Sequence, residues 1–162
     1  MKEKKIELSF ISAQLSELST EEKQLVANAK SAVTTAYAPY SGFLVGASVL
    51  LDNGEIINGS NQENVAYPSG LCAERVALFY AGARFPDVKI KTIAVSVMSK
   101  NFKVTDVISP CGACRQVMAE YEDKQAQAIK VILHSPTNQV LIANTVESLL
   151  PFMFKSPLLK QH

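Results

Sequence analysis

The chain is 162 residues long, 48% hydrophobic and 19% charged, a size and composition suited to one globular domain with its own core. A formal net charge of +1 leaves no basic footprint for nucleic acid, and the opening MKEKK reads as a solvated terminus. No apolar stretch approaches the length of a bilayer span and no secretory pattern follows the basic start, so the expectation is a cytoplasmic protein with no membrane partner.

In chain order, IELSFISAQLSEL has mixed periodicity and reads as a strand or an arm, which sets residues 1–18 apart as an N-terminal arm. STEEKQLVANAKSAVTTAY is a helix, capped by Ser19 or Thr20, with Leu25, Val26, Ala29, Val33 and Ala36 at helical spacing. APYSGFLVGASVLL and EIINGSN flank the turn signal Asp52-Asn53-Gly54 and predict a hairpin. CAERVALFYAGARF predicts a helix, IKTIAVSVM a buried strand, and CGACRQVMAEY a further helix. IKVILHS and QVLIANT are strands on either side of PTN, and TVESLLPF is a short last helix. A single domain over residues 19–156 with a tail at 157–162 follows. Helices that follow strands need sheet faces to lie on, so the fold class is α/β, layered, around a mixed sheet of about five strands.

Three cysteines without a secretion signal argue against a disulfide framework and for metal binding, catalysis or inert burial. Cys72 opens one predicted helix, and Cys111 and Cys114 open another behind Pro110. Exposed N–H groups and the dipole at a helix start favour thiolate, the form that binds zinc. CxxC gives two corners of a tetrahedron and Cys72 a third. No fourth cysteine exists; His134 reads as an ordinary strand position and His162 is the last residue. A Zn²⁺ site with one open position is the catalytic kind, which activates water.

Glu74, two residues beyond Cys72, stands where a proton shuttle is needed. A ligand, one residue, then Glu, followed later by PCxxC, is the pattern of zinc deaminases. A lone CxxC also suits a redox or structural site, but neither accounts for Cys-x-Glu at a second helix start. Three thiolates on Zn²⁺ carry excess negative charge, which a guanidinium from Arg75 would offset; Arg115 is an even choice between that role and a plain arginine.

The chain resembles the small, all-cysteine, homotetrameric cytidine deaminases from about Ala32 to Phe154, through AYAPYSGFLVGAS, NGSNQENVAYPSGLCAER, SPCGACRQVM and ESLLPFMF. The resemblance implies a three-layer α/β/α fold, one catalytic zinc per subunit, and hydrolysis of cytidine or deoxycytidine, a small-molecule nucleoside, with release of ammonia. It implies that Asn61 and Glu63 bind the ribose 3′-hydroxyl, that Phe43 packs on the pyrimidine, and that the Ala73 N–H meets the pyrimidine O2. Tyr67, beside Val65, reaches the 5′ side from a neighbouring subunit, and Phe154, or Phe152 near it, closes an adjacent subunit's site. The arm before Ser19 is longer than the family leads one to expect. A deaminase of blasticidin-S type shares CAE and PCxxC, and a non-enzymatic zinc-stabilised module is the reading from another class. The Asn61/Glu63 pair with Phe43 speaks against the first, and Glu74 beside an open zinc position against the second.

Overall fold

The structure, a computed structural model, describes residues 1–156 and Leu159. His162 lies outside the described residues. The strands are β1 (Ile11–Gln14), β2 (Phe43–Leu51), β3 (Ile56–Ser60), β4 (Ile90–Ser99), β5 (Lys130–His134) and β6 (Gln139–Ala143). The helices are α1 (Thr20–Ala32), α2 (Ala73–Arg84) and α3 (Gly112–Gln125), and Val146–Leu149 form only a 3₁₀ turn where a last helix was expected.

One mixed sheet runs in the order β1-β6-β5-β4-β2-β3. β4 and β5, joined through α3, are parallel, and every other pairing is antiparallel. The sheet therefore has six strands rather than about five. The sixth comes from the arm, where Ile11–Gln14 pair with Ile142 back to Gln139 and cover an edge that β6 would otherwise expose.

Alternation along the strands separates the layers. Leu50, Ala94, Ile132, Val140 and Ile142 pack with Leu25, Val26 and Ala29 of α1 on one face. Val49, Leu51, Ile93, Val95, Val131 and Leu133 pack on the other face with Ala77, Leu78 and Ala81 of α2 and Met118 and Ala119 of α3. This is the three-layer α/β/α arrangement expected from the sequence. α1 starts in a capping box, with Ser19 Oγ accepting from the Glu22 N–H at 3.3 Å and Glu22 Oε2 accepting from the Ser19 N–H at 3.0 Å. Glu22 Oε1 also accepts from Lys130 Nζ of β5 at 2.9 Å, which ties the helix start to the sheet.

Two glycines let the helices approach. A Cβ at Gly46 would stand 2.1 Å from the Ala29 carbonyl oxygen of α1. One at Gly59 would stand 2.6 Å from both the Ala73 carbonyl oxygen and the Ala77 nitrogen of α2. The second contact sets the height of the α2 first turn over the sheet, and that turn bears Cys72 and Glu74.

Candidate active site

β3 and β4 point the same way, each being antiparallel to β2 between them. The loops that leave their carboxyl ends lead into α2 and α3, so both helices begin at one end of the sheet, where open α/β folds form ligand crevices. The first loop closes on itself at Gln62 and Leu71, whose N–H groups donate to each other's carbonyls at 2.8 and 2.9 Å. Cys72 is the N-cap of α2 and Cys111 the N-cap of α3, but neither side chain caps its helix. The sulfurs turn toward one another instead.

Cys72 Sγ lies 3.9 Å from Cys111 Sγ, Cys111 Sγ lies 3.4 Å from Cys114 Sγ, and all three fall within 4.8 Å of one another. A tetrahedral zinc with Zn–S bonds of about 2.3 Å needs sulfurs about 3.8 Å apart, so this donor set fits the ion and leaves one position open. The Cys72 thiol is pulled down to about 5, chiefly by the neighbouring Cys114 thiol and further by Arg75. The nearby Cys72 thiolate, together with burial, pushes Cys114 up. The helix start was the expected source of thiolate character; the neighbouring thiol and the guanidinium add to it. Arg75 Nη2 donates to Cys72 Sγ at 3.6 Å from one turn along α2, and its Nε is buried without a partner.

Glu74 is 4% exposed, the one acidic side chain buried among the described residues. Burial first, and then the negative charge at Cys72, raises its carboxyl above the usual range. His134 stays with the sheet: its Nδ1 lies 3.0 Å from Ser96 Oγ and its Nε2 3.4 Å from Asn138 Oδ1. Arg115 donates Nη1 to the Leu149 carbonyl at 2.9 Å.

A cavity of about 770 Å³ opens over the sulfurs, bounded by Cys72, Glu74, Phe43, Asn61, Glu63 and Tyr67 among others. That volume is in the range of small-molecule sites. Phe43 stacks on Phe102, with centroids 6.1 Å apart, at the cavity's rim. The Asn61 amide is bound to the β2 backbone, accepting from the Val45 N–H at 2.7 Å and donating to the Phe43 carbonyl at 2.9 Å. Glu63 accepts from the Ser41 hydroxyl and from the Tyr40 and Ser41 N–H groups at 2.8 and 3.3 Å, and these bonds, the hydroxyl's above all, hold its carboxyl below the usual range. Both residues thus brace the wall, and their bonds to the backbone leave the amide a second N–H and the carboxylate further lone pairs. Ala73 is fully buried, and as the first residue of α2 its N–H is one of the four that a helix leaves without an internal partner. Tyr67 is 76% exposed and Phe154 is 74% exposed, and Phe154 takes no part in this chain's own cavity.

Sequence reasoning passed over Tyr40 and Ile108, which also line the cavity, and Phe102 beneath Phe43. Tyr40 stands in AYAPYSGF, close in sequence to Phe43; Phe102 and Ile108 sit in a loop with no periodicity to mark them.

Residues 19–130 match the family described as the cytidine and deoxycytidylate deaminase zinc-binding region. The chain is 36% identical to the cytidine deaminase of Halalkalibacterium halodurans over 132 residues, which spans 82% of this chain and 92% of that one. Among solved structures it is similar to the cytidine deaminase of Burkholderia pseudomallei, with a TM-score of 0.70 and 37% identity over 82% of this chain and 98% of that one. The Mycobacterium tuberculosis cytidine deaminase gives a TM-score of 0.66 at 30% identity, covering 85% and 100%.

Proposed function

The chain belongs to the cytidine and deoxycytidylate deaminase family, and from that premise we propose that it hydrolyses cytidine and deoxycytidine to uridine and deoxyuridine, releasing ammonia. The observation that carries this reading is the three-sulfur cluster beside the buried Glu74 on the floor of a cavity sized for a nucleoside.

Cys72, Cys111 and Cys114 hold the Zn²⁺, which when bound supplies the Lewis acidity that makes water nucleophilic at neutral pH. Arg75 offsets the negative charge of the sulfurs through Cys72. Glu74 takes a proton from the attacking water and delivers it to N3 of the base as the new oxygen bonds to C4. It then passes a second proton to the exocyclic nitrogen, the C4–N4 bond breaks, and ammonia departs. A carboxyl raised by burial suits both halves of that relay, because it accepts a proton more readily than an ordinary carboxylate and is still an acid that can pass the proton on.

Phe43 packs on the pyrimidine face, the Ala73 N–H donates to O2, the second Nδ2–H of Asn61 donates to the ribose 3′-hydroxyl oxygen, and a Glu63 carboxylate oxygen accepts from that hydroxyl. Phe154 serves the cavity of a neighbouring subunit in a homotetramer, a role that its exposure supports, while Tyr67 lies on the wall of this chain's own cavity and serves it from there. No described helix is long and apolar enough to cross a membrane. A cytoplasmic place in pyrimidine salvage suits a cluster of reduced thiols. The test follows the ultraviolet absorbance of cytidine with zinc-loaded protein and with Glu74→Gln. Loss of absorbance with the first and almost none with the second supports the assignment. No loss with zinc at one per chain removes cytidine as the substrate.

A further inference from the structure

The residue two places after Cys114 holds the end of the chain. Gln116 Oε1 accepts from the Phe154 N–H at 2.9 Å, and Gln116 Nε2 donates to the Phe154 carbonyl at 2.8 Å. Both polar backbone groups of Phe154 are thereby engaged by one side-chain amide, which stands in for a neighbouring strand's peptide group. On either side the same segment is fastened again. Arg115 bonds the Leu149 carbonyl, Met153 packs against the core, and Lys155 forms an ion pair with Asp123. Gln116 and Asp123 are seven residues apart, so both project from one face of α3. Residues 149–155 are strapped along that face by contacts that begin in the turn bearing two of the sulfurs.

The Phe154 ring is left in solvent, and Phe152 is 81% exposed as well. An exposed ring in a segment without helix or strand gains a defined direction only through its backbone. Here that backbone depends on Gln116. Glutamine is chemically specific for the task, since it offers one donor and one acceptor in the geometry of a peptide group; glutamate keeps the acceptor and faces the Phe154 carbonyl with a like charge.

We propose that Gln116 is a positioning residue that fixes the Phe154 backbone against the metal-bearing turn of α3 and so aims the Phe154 ring at the cavity of a second copy of this chain. The proposal deepens the reading that Phe154 closes a neighbour's site and rests on it. It acts on substrate retention, because the ring packs on bound nucleoside and takes no part in proton transfer. It also separates Phe154 from Phe152, whose backbone Gln116 does not hold.

The experiment uses zinc-loaded full-length protein as Gln116→Ala, Gln116→Glu, Phe154→Ala and the Gln116→Ala/Phe154→Ala double variant. It reads KM and kcat for cytidine, zinc per chain, and hydrogen exchange over residues 150–156. Losing the two bonds should speed exchange at Phe154 and raise KM about tenfold with kcat little changed and zinc content intact. Gln116→Glu should fall in the same direction. Phe154→Ala should raise KM at least as much, and the double variant should be no worse than Phe154→Ala alone, since Gln116 works through that ring. Unchanged exchange at Phe154 in Gln116→Ala, or KM penalties that multiply in the double variant, would overturn the proposal. An unchanged KM in Phe154→Ala would instead remove the underlying reading of the ring, a failure told apart because exchange still reports whether the clamp exists.

Discussion

Gly59 of β3 lies directly beneath Ala73 of α2, so close that any side chain at 59 would press on the helix's first turn. The sheet and the active site meet at that contact. Gly59→Ala must lift or tilt the turn carrying Cys72 and Glu74, because the atoms in its way are backbone, which cannot rotate aside. Overpacking of this kind costs about 1–3 kcal/mol. The expected outcome is a lower Tm together with weaker zinc retention against a chelator, read by metal analysis after dialysis. A variant with normal Tm and normal zinc content would show that α2 is not set by this contact.

Arg75 and Cys72 make a second testable pair. With metal stripped, the Cys72 thiol near 5 is thiolate across neutral pH and becomes protonated only as pH falls through that value. Alkylation of Cys72 by iodoacetamide in metal-free protein should therefore stay fast down to about pH 6, where an ordinary thiol is almost unreactive. Arg75→Met removes a donor and a positive charge, so the midpoint of the alkylation profile should move up. Zinc affinity should fall by roughly 10–100-fold, the usual range for losing a group that supports a ligand. Mass-spectrometric mapping of the alkylated cysteine and a chelator competition check the two halves separately.

Much of this was legible in the residues themselves. Cys72, Glu74, Cys111 and Cys114 sit at helix starts, where local spacing fixes direction, and the sulfurs converge as that spacing required. The helices at Leu25, Val26 and Ala29 and at Ala77, Leu78 and Ala81 followed from periodicity. What was left open or missed depends on long-range pairing. Ile11–Gln14 become a strand because β6 offers them an edge 125 or more residues further along, and nothing in IELSFISAQ encodes that partner. Asn61 and Glu63 were read only as ribose ligands, yet each also bonds backbone some twenty residues away. Gln116 was silent because its partner is 38 residues downstream in a segment without periodicity.

The link between α1 and β5 gives a pH prediction. Lys130 first, and then Ser19, hold the Glu22 carboxyl below its ordinary value. A carboxyl lowered on folding contributes stability that is present above its unfolded value and lost as pH falls through the lower, folded one. Part of the acid destabilisation below about pH 4.5 should therefore vanish in Glu22→Gln. The pair is partly exposed, at 18% for Glu22 and 39% for Lys130, so the change at neutral pH should be only about 0.5–1 kcal/mol. Urea unfolding at pH 7 and pH 4 of the parent and Glu22→Gln measures it; equal losses on acidification in both would refute the role of this pair.

The arm supplies the last test. β1 lies at the edge of the sheet remote from β2 and β3, where the cavity is built. Deleting residues 1–14 strips the four-residue ladder from β6 and leaves an unpaired strand edge beside Ile142 and Val140. Exposed edges recruit other chains. The deleted protein should therefore show a Tm lower by several degrees, about 2–4 °C for each kcal/mol lost in a chain of this size, and should scatter more light as concentration rises. Leu15 and Leu18 remain to cover α1, so the core persists and the loss is partial. Cytidine turnover per bound zinc should stay near that of the full chain. A fall in turnover at full zinc content, with Tm unchanged, would instead place the arm in a neighbour's active site and overturn its assignment as an edge cover.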